Sequence, residues 1–170
     1  MMLFHGSNVA VSTILLDRCQ PNKDFGKGFY TTSLSEQAGM MAKRVARRFG
    51  GVPCISTFSI EDGFQNRSDL SIKIFAEVNI EWAMFVLNNR YPKSEKSNAL
   101  ADNNVDCKYD IVIGPVANDD LSVIFRLFER GIISKESLVR EMKYRKMTNQ
   151  YSFHTERAVA LLHYEGSVNV

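Results

Sequence analysis

Cysteine, proline and long apolar runs are all scarce in this chain. The cysteines, Cys19, Cys54 and Cys107, are odd in number and fall in no CxxC or Cys/His ligand spacing, which argues against a disulfide framework and a zinc site. Scattered thiols of this kind fit a reducing cytoplasm. No apolar stretch approaches the roughly 18–20 residues that span a bilayer. The opening Met1-Met2-Leu3-Phe4-His5-Gly6 has neither a basic n-region nor a cleavage pattern, so it does not read as a secretory signal. Charge of one sign is missing too: 21 basic against 19 acidic side chains leave +2, too even to imply nucleic acid or a membrane surface by composition. With 10 Gly and 4 Pro, collagen-like and coiled-coil classes fall away. At 170 residues and 45% hydrophobic, the chain has apolar surface enough for one core and is short for two. It reads as a single cytoplasmic domain over residues 1–170.

Strand and helix signals alternate irregularly along it. Leu3-Phe4-His5 reads as a short strand that stops at Gly6-Ser7-Asn8. After the polar Gln20-Pro21-Asn22-Lys23-Asp24 loop, Phe29-Tyr30-Thr31-Thr32 is β-prone. Ser33 with Glu36 fits a capping box, and Leu34, Ala38, Met41, Val45 and Phe49 recur at helical spacing before Gly50-Gly51. The other face of that helix carries Lys43, Arg44, Arg47 and Arg48, a solvated surface or a phosphate contact. Strands are expected over Cys54–Ile60, Ser71–Val78, Tyr109–Pro115 and Tyr151–His154. Asn79 can cap a helix, two more helices should follow over Asp119–Arg130 and Ser134–Lys146, and Thr155 can cap another toward Leu162. Pro92 to Asp106 reads as a polar loop. The pattern is mixed α+β.

Familiar catalytic signatures are missing: there is no GxSxG, no GxxxxGK[ST], no HExxH and no Rossmann glycine turn. Three separated segments carry more information. His5-Gly6-Ser7 ends the first strand, Phe25-Gly26-Lys27-Gly28-Phe29-Tyr30 precedes the helix, and Asn149-Gln150-Tyr151 enters a late strand. This order resembles the ADP-ribosyltransferase superfamily, in which a His, a Tyr and a Glu from three strands surround one NAD cleft. The middle segment is similar to the glycine-rich stretch of poly-ADP-ribose polymerases. The whole is closer to a bacterial domain family of unknown function that shares the LFHGS opening, DFGKGFYTT, YDIVIGPVAND and QYSFHT.

The resemblance implies two small, mainly antiparallel sheets forming an NAD cleft, with helices around them. It implies His5 as a hydrogen-bond donor to a ribose hydroxyl, Gly6 and Ser7 against the nicotinamide amide, and Tyr30 as a stacking platform with its hydroxyl at the rim. Gly28 and Thr31 would line the cleft. NAD would be the substrate, with no metal. Two positions depart from the polymerase pattern. Gln150 stands where the superfamily commonly has Glu; it can accept a hydrogen bond but carries no charge and cannot act as a general base, which disfavours chain elongation. Met41 stands eleven residues after Tyr30, where polymerases place a second aromatic; its thioether would pack on the nicotinamide ring or else belong to the core. Glu156, six residues after Gln150, supplies a carboxylate only if the chain turns back.

The expectation is a mono-ADP-ribosyltransferase acting on a protein or nucleic-acid acceptor, with His5, Tyr30 and Gln150 at its centre. Similar small domains suggest a toxin held by an antitoxin or other inhibitory partner. An NAD glycohydrolase and a catalytically silent NAD-, ADP-ribose- or protein-binding module are the alternatives. Asp119-Asp120 read as a helix start rather than a metal site, the stretch from Gly114 to Asp120 as a wall of the cleft, and His154 as a structural residue.

Overall fold

A computed structural model of the chain describes residues 1–92, 102–117, 119–142 and 148–170. Its strands are β1 (Met2–Ser7), β2 (Phe29–Thr31), β3 (Cys54–Ser59), β4 (Ile72–Ile74), β5 (Ile111–Pro115), β6 (Asn149–Phe153) and β7 (His163–Asn169). The helices among the described residues are α1 (Ser35–Phe49), α2 (Ile80–Arg90), α3 (Asp119–Glu129), α4 (Lys135–Met142) and α5 (Glu156–Val159). Two sheets result. One has the order β1-β3-β7 and is antiparallel throughout; the other has the order β2-β6-β5-β4 and is antiparallel except where β4 runs parallel to β5. The fold is α+β, as the sequence pattern implied. None of the described helices is long and apolar enough to cross a membrane.

Side-chain alternation sorts the strands into two cores. Leu3, Phe29, Phe58, Ile111, Ile113 and Phe153 meet between the sheets. On the opposite face of the second sheet, Val112 meets Phe25, Trp82, Phe85, Leu121, Phe125 and Leu138 from the loop before β2 and from α2, α3 and α4. Among the described residues a single backbone rung joins the sheets: Phe4 and Thr32 exchange both hydrogen bonds, at 2.8 and 3.0 Å.

Several helix ends form as their residues dictate. Asn79 Oδ1 accepts the Trp82 N–H at 2.9 Å to start α2, and Thr155 Oγ1 accepts from Ala158 N–H at 3.4 Å to start α5. The capping box at Ser33 and Glu36 does not form. Thr32 Oγ1 instead accepts from the Leu34 N–H and donates to Gln37. The buried face of α1 also differs from the predicted stripe. Ala38, Gly39 and Ala42 are buried, whereas Leu34, Met41 and Phe49 are exposed. The helix runs so close to β1 and β3 that only small residues fit beneath it, and the bulkier apolar ones are displaced outward. The predicted strand over Ser71–Val78 shortens to β4, and the tail of the predicted helix over Ser134–Lys146 lies outside the described residues. Most of the predicted loop from Pro92 to Asp106 lies outside them too. Its end is held, because Asn89 Oδ1 accepts from Asn104 N–H and the Asn104 side chain bridges Tyr109 N–H and carbonyl.

Candidate functional site

His5 sits on β1 on the face that looks between the sheets, its ring 4.4 Å from that of Phe29. Its Nδ1 lies 2.7 Å from the Tyr30 carbonyl oxygen, across the join of the two sheets. A carbonyl only accepts, so Nδ1 carries the proton and Nε2 keeps its lone pair. Burial pushes the imidazole pKa below its ordinary value, against the opposing pull of that carbonyl. The ring is therefore neutral at pH 7. The one N–H is taken up by the Tyr30 carbonyl, which leaves Nε2 as an acceptor rather than the donor expected from the sequence.

Gly6 follows on β1. The Phe4 N–H and C=O point to Thr32 rather than to β3, and two residues on the same alternation turns the Gly6 N–H and C=O to that edge. By then the facing chain has left β2 and entered α1, and no hydrogen bond to either group is found among the described residues. Perpendicular to the sheet, a Cβ at Gly6 would lie 1.9 Å from the Ala38 carbonyl oxygen. Packing alone thus demands glycine here. Ser7 is half-buried, with its hydroxyl 3.4 Å from Asn8 Oδ1.

Tyr30 does not present its hydroxyl at a rim. The phenol accepts from the Phe25 N–H at 3.0 Å and donates to the Gly26 carbonyl at 2.7 Å, closing the glycine loop on itself. Burial, with Asp24 nearby, raises its pKa well above the ordinary value, so the proton stays on. The half-buried ring packs against the helix-side core and stands edge-on to His154. Gly28 has a packing reason of its own: a Cβ would come within 2.6 Å of His154 Nδ1 and 2.7 Å of the Phe153 carbonyl. Thr31 is buried on the inter-sheet face and donates to the Tyr151 carbonyl at 3.2 Å. Met41 is exposed on α1. Lys43, Arg44, Arg47 and Arg48 are on the same helix, and all four are exposed.

Gln150 lies on β6, facing the helices, with its Nε2 2.8 Å from Asp24 Oδ2 and 3.4 Å from the Pro115 carbonyl. The same carboxylate accepts from Ala117 N–H and, through Oδ1, from Arg90. The stretch from Gly114 onward therefore meets Gln150 through Pro115 and Ala117, whereas residue 118 lies outside the described set. Glu156 is exposed in the first turn of α5, outside the strand that carries Gln150. Tyr30 and Gln150 are drawn together by the segment 24–26. His5 reaches them only through the Tyr30 backbone, from the other face of the sheet. A shallow cavity of about 590 Å³ opens between α2 and α3 beside Arg90, Tyr91 and Arg126, away from His5.

Asp24 and Asp110 carry no obvious sequence signal, yet both are hubs. The buried Asp110 accepts from Arg157 Nε and Nη2, both at 2.6 Å, from Thr155 Oγ1 at 2.5 Å and from the Ser71 N–H at 2.7 Å. Each lies in a stretch that looked like an ordinary loop or strand start.

His154 is structural, as expected. Its Nδ1 donates to the Lys27 carbonyl at 2.8 Å, and Nε2 meets Ser152 Oγ at 2.8 Å. Burial lowers its pKa to about 4, against the pull of the Lys27 carbonyl and Asp110. The folded state then binds fewer protons than the unfolded one between pH 6.5 and 4, so this contribution is complete above pH 6.5 and is lost as pH falls toward 4. About 2 kcal/mol of stability should disappear between pH 7 and 5, lowering the thermal midpoint by roughly 4–8 °C. An NMR titration of the His154 Cε1 proton checks the cause: a midpoint above about 6 would refute the buried neutral ring.

No curated protein matches the chain. Residues 1–164 match the family described as protein of unknown function DUF3990, and that span shows that the chain belongs to this family.

Proposed function

We propose that the protein has an ADP-ribosyltransferase-like fold and transfers single ADP-ribose units from NAD to a macromolecular acceptor. The observation that carries this reading is the edge of β1, where a neutral His5 with a free acceptor nitrogen stands beside the N–H and C=O of Gly6, which point away from β3. A primary amide such as that of nicotinamide needs one donor and one acceptor side by side, and a ribose hydroxyl needs an acceptor. Gly6 supplies the first pair and His5 Nε2 the second, with Ser7 adjacent. In the reaction the bond between nicotinamide and ribose C1′ breaks and its electron pair leaves with nicotinamide. The ribose passes through an oxocarbenium-like state, and the acceptor nucleophile adds at C1′ and releases its proton to solvent. Gln150 offers no base to activate a ribose hydroxyl, which limits the product to one unit. Side-chain atoms already bonded within the fold, Tyr30 Oη above all, orient the loop rather than touch the substrate.

Nicotinamide release from NAD by the purified protein, with and without cell lysate, tests the proposal. His5→Ala should lower release by about 10²-fold, the scale expected when a reactant is no longer held in place. Stimulation by lysate marks transfer; release at the same rate without it marks a glycohydrolase. Equal release by wild type and His5→Ala would remove the reading. The rival is a silent binding module, favoured by the internal hydrogen bonds of Gln150 Nε2 and Tyr30 Oη. It predicts NAD or ADP-ribose binding by calorimetry without turnover.

A further inference from the structure

Asp24 lies 126 residues from Gln150 in sequence, in a loop of polar residues, yet every lone-pair direction of its buried carboxylate is used. Oδ1 accepts from Arg90 Nε and Nη2 at 2.8 and 2.6 Å. Oδ2 accepts from Ala117 N–H at 3.0 Å and from Gln150 Nε2 at 2.8 Å. The second amide hydrogen of Gln150 faces the Pro115 carbonyl at 3.4 Å. A carboxylate and a carbonyl only accept, so the amide has one orientation, nitrogen inward. Gln150 is 8% exposed, and its Oε1 takes no hydrogen bond from the described residues. One atom of this side chain is left for a ligand, and it is an uncharged acceptor.

A glutamate at 150 would set a second carboxylate at the distance now spanned by the hydrogen bond, while the guanidinium of Arg90 is already engaged with Asp24 Oδ1, Ser122 and the Ala117 carbonyl. Like charges that close cannot both ionise without a large cost. We propose that Asp24 is a positioning residue for Gln150: it fixes the amide with Oε1 toward the ligand, and it makes glutamine rather than glutamate the residue this network accepts. The ligand so recognised is a hydroxyl donor. That it is a ribose hydroxyl rests on the NAD reading above; the pairing of Asp24 with Gln150 does not. Gln150 is then no remnant of a lost acid, and restoring the acid should damage the site.

The test is a double-mutant cycle of Gln150→Glu and Asp24→Asn, read by thermal midpoint at about pH 7.5 and about pH 5.5. Gln150→Glu should lower the midpoint by about 8 °C at the higher pH. Relative to wild type, most of that loss should be recovered at the lower pH, because a carboxyl forced to keep its proton favours the folded state more as pH falls. The direction is opposite to that of the wild-type protein, which weakens on acidification through His154. Asp24→Asn combined with Gln150→Glu restores one carboxylate and one amide. This pair should be more stable at the higher pH than the sum of the single losses and should lose the inverted pH response. A Gln150→Glu protein with the wild-type midpoint and pH profile overturns the proposal, as does strict additivity in the cycle. Should Gln150→Glu not fold, Gln150→Met keeps the shape without the amide: a drop of about 3 °C supports the pairing and no drop refutes it. None of these outcomes requires turnover, so they stand apart from the fate of the NAD reading.

Discussion

Gly6→Ala is expected to destabilise the protein by about 4 kcal/mol, near the top of the range for a single methyl added to a packed interior. The added carbon would lie 1.9 Å from the Ala38 carbonyl oxygen and 2.8 Å from the Ala42 nitrogen, both helix backbone atoms. No side-chain rotation relieves such a contact. Either α1 moves off the sheet, opening a gap over β1 and β3, or β1 bends and strains the rung between Phe4 and Thr32. The smaller unfolded-state entropy of alanine returns about 0.4–1 kcal/mol, too little to compensate. Gly39→Ala in the same interface makes the opposite case. Its Cβ would sit 3.5 Å from Ile55 Cδ1, an ordinary contact, and helix propensity favours alanine by about 1 kcal/mol. Chemical denaturation of both variants should therefore split them to either side of wild type. A Gly6→Ala midpoint within error of wild type would mean that α1 is not seated as described. One practical result follows for the NAD reading: Gly6 cannot be probed by substitution, because loss of the fold would mask loss of binding. His5 is the better handle.

Asp110→Asn should cost about 3 kcal/mol, chiefly because buried donors lose a charged acceptor. The Ser71 N–H and the Thr155 hydroxyl both point at this carboxylate, and an amide nitrogen in place of one oxygen would face a donor. Burial opposes ionisation of Asp110, but Arg157, Thr155 and Ser71 together lower its pKa below the ordinary value. The charge is therefore kept throughout and above the normal carboxylate range, and its stabilisation is lost only as pH falls below about 3.9. The partner guanidinium is more than half exposed, so solvent screens it. Arg157→Met should then cost clearly less than Asp110→Asn. Urea melts of the two variants give the ranking, and the reverse order would show that the exposed ion pair rather than the buried hydrogen bonds holds this corner.

The segments that were legible in the sequence share one property: their signal is local. Asn79 precedes a helix and caps it, Thr155 does the same, and Ile111-Val112-Ile113 is buried on both faces of its strand. What escaped depends on partners far along the chain. The alternation in His163–Asn169 carries little apolar signal because β7 is an outer strand with most of its residues exposed, and it is defined by pairing with β3. The apolar period of α1 pointed at Leu34, Met41 and Phe49 because hydrophobicity marks the core only where the packing distance leaves room for large side chains. Of the candidate site, the order of His5, Tyr30 and Gln150 was visible. The direction of the hydrogen bonds was not, since it is set by the Tyr30 carbonyl for His5 and by Asp24 for Gln150. An aspartate in a loop of Pro, Asn and Lys gives no hint of a partner on β6.

The place of β3 in its sheet bears on how the chain is made. It lies between β1 and β7, and β7 begins more than a hundred residues after β3 in the sequence. During synthesis β1 and β3 can pair early, but the second edge of β3 stays open until residues 163–169 have left the ribosome. An unpaired strand edge invites pairing with another chain. Nascent chains of this protein thus carry an adhesive border throughout the synthesis of the residues between β3 and β7. Closure across such a sequence distance is also slow, since the loop entropy must be overcome before the contacts form.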